Sequence, residues 1–221
     1  MTRGILIAGN ESSLFAAAAV EASRRVERFA AALIPNRLSG PVSESAEGAR
    51  ISLSWNPGNP VSARSLALAA ENRLEHVDEA ILICAPPSVR KRAEDLIPGE
   101  LEVLINDHIK GWFFLVRELA LIFKERGRGI LSLVLSNIGS GGGKDETADL
   151  LGPSAAASFK ALAQGLLSGS LNESYQTLAF SSSEAGEDAS FASFIFKIME
   201  EDNRRNAGRW HKYGRFGLFG R

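Results

Sequence analysis

The chain has 221 residues, of which 45% are hydrophobic and 23% charged, and its formal net charge is −1. That is the make-up of a globular protein with enough chain for one large core, and near-neutrality excludes a global field drawing it to nucleic acid or an anionic membrane. The single cysteine, Cys84, excludes an intrachain disulfide and suits a reducing compartment.

The first apolar run, GILIA at 4–8, is too short for a membrane span and is broken by Gly9, Asn10 and Glu11. It reads as a strand and a turn rather than a leader peptide. With no membrane span and no targeting segment read, the expected location is the cytoplasm. An alanine-rich helix is expected over 11–29, then a strand at 31–35 stopped by Pro35, then a polar loop to residue 48. RISLSW at 50–55 alternates like a strand, and NPGNP at 56–60 is turn chemistry. A helix is expected over 61–76. EAILICA at 79–85 is a continuous apolar run, as in a strand covered on both faces, and Pro86-Pro87 ends it.

A long helix is expected over 101–126, with Leu104, Ile105, Ile109, Trp112, Leu115, Val116, Leu119 and Ile122 on one buried stripe. GILSLVLS at 129–136 reads as another buried strand, followed by a glycine-rich loop, 137–149. A helix over 153–171, a strand at 175–181, a Phe-rich helix at 189–203 and a last strand at 208–216 complete the order. Strand–helix alternation with short connections predicts a doubly wound parallel sheet of about seven strands in three α/β/α layers, a Rossmann-type single domain spanning 1–221.

Several chemistries fail on spacing. GSGGGKDET places Ile138 where a phosphate loop needs its first glycine, and Asp145 where it needs Ser or Thr. The residues around Ser136, VLSNI, lack the glycines of a nucleophile elbow. His76, His108 and His211 form no metal-ligand spacing, so no metal is expected. The aromatic and basic tail GRWHKYGRFGLFGR reads as an edge strand and a packed end segment rather than a nucleic-acid platform.

IKGWFFLVRELALIFKERGRGILSLVLSNIG at 109–139, with AILICAPP at 80–87, resembles the short-chain dehydrogenase/reductase family, and the likeness extends over nearly the whole chain. The resemblance implies a Rossmann-type domain, NAD or NADP as cofactor, and a Ser-Tyr-Lys site. It places Ser136 and Lys160 in the serine and lysine roles, with His108 where an asparagine is usual. It also places Ala156 where the tyrosine should stand, four residues before the lysine on one helix face. A methyl group has no proton to give, and neither Tyr175 nor Tyr213 can take its place.

Within the nucleotide loop the resemblance matches only Gly9; Ser13 and Phe15 stand where later glycines are expected. Arg37 and Asn56 fall where the family contacts the adenosine half, Arg37 suiting a 2′-phosphate. The expectation is a degenerate member that has lost ordinary hydride transfer, binds either no cofactor or NAD(P) through Gly9, Arg37, Asn56 and Lys160, and serves as a binding or structural homodimer or homotetramer. The alternatives are an oxidoreductase with an atypical site using His108, and an interaction module presenting Phe191, Phe194, Ile195, Ile198 and Met199 with the aromatic tail.

Overall fold

The computed structural model describes residues 3–34, 50–136, 149–182, 184, 186–201 and 206–214. Seven strands, β1 (Ile5–Gly9), β2 (Phe29–Leu33), β3 (Arg50–Leu53), β4 (Glu79–Cys84), β5 (Ile130–Leu135), β6 (Gln176–Ser182) and β7 (Trp210–Tyr213), form one parallel sheet in the order β3-β2-β1-β4-β5-β6-β7. The order reverses between β1 and β4, which creates a crevice at their carboxyl ends.

Every residue of β1 and β4 is buried. Alternation along a strand then sends each side chain to one of two cores. Leu6, Ala8, Ala80, Leu82 and Cys84 join the core under helices α2 (Pro60–Arg73), α4 (Gly111–Arg126) and α5 (Leu151–Gly169). Ile5, Ile7, Ile81 and Ile83 join the core under α1 (Ser13–Ser23) and α6 (Asp188–Glu200). Trp112 links three elements of the first core edge to face, its ring 5.5 Å from Trp55 and 5.1 Å from Phe159.

Four details depart from the sequence reading. The first helix stops at Ser23 instead of running to residue 29, because Phe29-Ala-Ala-Ala-Leu pairs with β1 and β3 as β2. The last strand ends at Tyr213; the tail after Gly214 lies outside the described residues. Helix α5 begins two residues early, since the Asp149 carboxylate accepts the amides of Leu151 and Gly152 at 3.1 and 2.9 Å.

The largest departure is in the long helix. It is α3 (Pro98–Val103), a π-helical segment (Leu104–Lys110), and then α4. A π turn holds more residues than an α turn and resets the phase of the buried stripe. Ile105 is consequently exposed while Asp107 and His108 are buried, and Phe123 replaces the expected Ile122 in the deepest layer. Beyond the π segment, Gly111 has no room for a side chain: a Cβ there would meet that of Pro57 at 2.3 Å.

At the amino end of the sheet, Arg3 binds Glu79 through two bonds of 2.6 and 2.7 Å and reaches Glu200 at 3.3 Å, while Arg25 binds Glu200 at 2.7 Å. This ties β1, β4, α1 and α6 together around a carboxylate that is almost wholly buried. Removing Glu79 leaves Arg3 half-desolvated with only its longer contact to Glu200. Glu79→Ala is therefore expected to lower unfolding free energy by about 2–3 kcal/mol, slightly under the usual range for a buried pair because Arg3 keeps some solvent contact; urea unfolding of the two proteins measures it.

Candidate functional site

The carboxyl ends of β1, β4 and β5 meet at the switch point. The backbone of Ser136, just past β5, donates to the Cys84 carbonyl at 2.9 Å, and that of Asn10 donates to the Ile83 carbonyl at 3.2 Å. The Asn10 side chain then spans the crevice. Its Oδ1 accepts the Ala85 amide at 3.1 Å, and its Nδ2 lies 3.3 Å from Nδ1 of His108. The sequence reading treated Asn10 as an ordinary turn residue; a polar side chain directly after a fully buried strand was the available signal.

His108 is 6% exposed, and burial lowers its pKa to about 4. It is therefore an uncharged imidazole at neutral pH. Ser136 is half-buried at the mouth of the same crevice, and Ala156 is buried. Lys160, one turn beyond Ala156, is exposed and makes no hydrogen bond or ion pair among the described residues. Asn10, His108, Ala85, Cys84 and Ser136 are thus joined by direct contacts; no such contact joins Lys160 to them. Asn56 is exposed in the turn before α2, its amide donating to Ser62 Oγ at 2.9 Å. Arg37 and most of the glycine-rich loop, 137–148, lie outside the described residues.

Whether a dinucleotide fits depends on the β1–α1 turn. Binding of a pyrophosphate there needs free amides at the helix start and glycines that let chain and ligand approach. Gly9 has a different task, because a Cβ on it would meet the Ile83 carbonyl oxygen at 2.5 Å. The amide of Phe15 is capped by Ser12 Oγ at 3.1 Å. Ser13, also at the helix start, donates its hydroxyl to the Asp188 carboxylate at the start of α6. The Phe15 ring is buried between α1 and the sheet rather than lying in the crevice. One amide of the α1 start is thus capped from within the protein, the Asp188 carboxylate accepts the Ser13 hydroxyl, and Glu11 is exposed beside the turn.

No protein-family model matches the chain, and no curated protein matches it in sequence. Solved structures do. A short chain dehydrogenase from Mycobacterium smegmatis superposes with a TM-score of 0.74 at 11% identity, covering 98% of this chain and 94% of that one. A short chain dehydrogenase from Bacillus anthracis gives 0.73 at 14% identity, with 96% and 94% covered. The NADH-dependent reductase A1-R', complexed with NAD, gives 0.70 at 11% identity, with 96% and 95% covered.

The fold is that of the short-chain dehydrogenases. At this identity the likeness concerns the path of the chain, and the residues must carry any chemistry themselves. The short-chain dehydrogenase fold also frames two negative findings among the described residues: no cluster of metal-binding side chains, and no helix long and apolar enough to cross a membrane. A cavity of about 700 Å³ opens at the opposite, amino end of the sheet, beside Arg3, Asp78, Glu79, Arg128, Tyr175 and Glu200. It is remote from the switch point, and most of its charged walls pair with one another.

A pH dependence follows from His108. Its folded pKa lies below the ordinary value, so the unfolded chain takes up the proton first. The stabilising contribution is complete above about pH 6.5 and is lost as pH falls towards 4. The loss approaches about 3 kcal/mol for a shift of this size. Acidification from pH 7 to 4 is expected to destabilise the wild type by that much more than His108→Gln, as measured by denaturant unfolding across the range.

Proposed function

We propose that this chain is a binding or structural protein on a short-chain dehydrogenase fold, without ordinary NAD(P)-dependent hydride transfer. The observation that carries the reading is Ala156: the helix face ending in Lys160 holds a buried methyl group one turn before the lysine. With no phenol there, nothing positioned with the lysine can exchange a proton with a substrate oxygen, a loss of about 10²–10⁴-fold in rate by itself. The internally capped α1 start and the Ser13–Asp188 contact support absence of the cofactor as well.

Homo-oligomerisation belongs to the same proposal. Leu101, Ile105, Phe113 and Leu121 are 41–50% exposed along α3, the π segment and α4. On α5, Ala157, Ala161 and Gly165 present a thin exposed surface that a second helix could approach closely. On α6, Phe191, Ile195 and Met199 are within 2% of full burial in the core under the sheet, Phe194 and Ile198 are half-buried against it, and the aromatic tail after Gly214 lies outside the described residues. The free, buried thiol of Cys84 supports a cytoplasmic location.

A second reading, an oxidoreductase with an atypical site, draws support from the NAD-complexed reductase of the same fold and from the retained Ser136 and Lys160. The two separate on nucleotide binding. A ligand at 100 times its Kd adds about 2.7 kcal/mol, which for a chain of this size raises Tm by roughly 5–10 °C. The proposal expects no such shift with millimolar NAD, NADP or their reduced forms. A shift of that size, abolished by Lys160→Ala, would overturn the absence of a cofactor and favour the enzyme reading instead.

Two further outcomes are expected. Ala156→Tyr restores no carbonyl reduction with either nicotinamide, and overpacks its site by about 1–3 kcal/mol in urea unfolding. Phe113→Glu weakens self-association at least tenfold, about 1.4 kcal/mol, in sedimentation equilibrium.

A further inference from the structure

The Asn10–His108 contact has a defined polarity. The Asn10 carboxamide has one acceptor end and one donor end. Its oxygen is committed to the Ala85 amide at 3.1 Å, and an amide nitrogen can only donate. The other end, 3.3 Å from Nδ1 of His108, is therefore NH₂, which also can only donate. Nδ1 must accept, so a neutral His108 carries its proton on Nε2. The backbone holds both ends in place: Asn10 follows β1 and is pinned by the Ile83 carbonyl, Ala85 follows β4, and His108 sits in the buried part of the π segment. π-helical interruptions of this kind recur where a side chain is being placed for function.

We propose that Asn10 is a positioning residue that locks His108 as the Nε2–H tautomer, making it a fixed, neutral hydrogen-bond donor at the switch-point crevice for an acceptor oxygen of a small ligand, such as a carbonyl or carboxylate. Nε2 has no hydrogen-bond acceptor among the described residues. Burial of the ring keeps the imidazole uncharged at neutral pH, so it binds through this N–H and does not deliver a proton as an imidazolium. The crevice then selects ligands by hydrogen-bond polarity. This inference does not depend on whether a dinucleotide binds, and its test involves no nucleotide.

The test is nitrogen-15 NMR of the histidine rings at pH 8, with the His108 signals assigned by their loss in His108→Gln. The wild type is expected to show a protonated Nε2 and an unprotonated Nδ1. Asn10→Asp keeps an oxygen for the Ala85 amide but offers His108 an acceptor in place of a donor, so Nδ1 is expected to become protonated. Asn10→Ala is expected to give a mixture of tautomers. An Nδ1 proton in the wild type overturns the proposal, as does an unprotonated Nδ1 in a folded Asn10→Asp protein with wild-type circular dichroism. Should Asn10→Asp fail to fold, the wild-type spectrum and Asn10→Ala decide: Nε2–H retained in full without the Asn10 side chain also overturns it. A structural tie alone would change melting temperature without moving the proton.

Discussion

The structure depends on the complete burial of β1 and β4 side by side. Two adjacent parallel strands with no exposed residue must be covered on both faces, and their alternating side chains divide the interior into two cores. Everything at the switch point is suspended from this pair. Asn10 and Ala85 are the first residues beyond the two strands, and the hydrogen bond between them closes the sheet where the chains diverge. The π segment brings His108 onto that closure. At the opposite end, the Arg3–Glu79–Glu200–Arg25 chain holds the same two strands to α1 and α6.

Much of this was legible in the sequence because burial on both faces leaves an unambiguous mark. GILIA, EAILICA and GILSLVLS are continuous apolar runs of strand length, and all three are central strands. The alanine-rich region at 16–32 was less legible, since alanine suits a helix and a covered strand alike; the boundary between α1 and β2 is set by pairing with β1 and β3. The aromatic face of α6 read equally well as interior or as contact surface, because hydrophobic periodicity reports that a face is covered and not by what. The π segment left no local signal. Its offset answers to distant neighbours, with Gly111 against Pro57 and Gly58 close to the side chain of Asn106.

The site was legible as a set of replaced residues. Ala156 and the replaced glycines are readable one residue at a time against the family resemblance, and the fold bears out the framework in which those comparisons make sense. The long-range contacts around the crevice were not readable. Ser13 and Asp188 are 175 positions apart in the chain, and Asn10 and His108 are 98 apart. The Phe15 ring is absorbed by the core between helix and sheet. The helix start beside it carries a capped amide and a nearby carboxylate.

Gly9 has a wider consequence. Its lack of a side chain is demanded by the carbonyl of the neighbouring strand, and that demand holds whatever the crevice contains. Steric exclusion between the neighbouring strands keeps a glycine here whether or not a phosphate is bound. Its presence is a mark of sheet geometry, an architectural necessity that by itself carries no message about cofactor use.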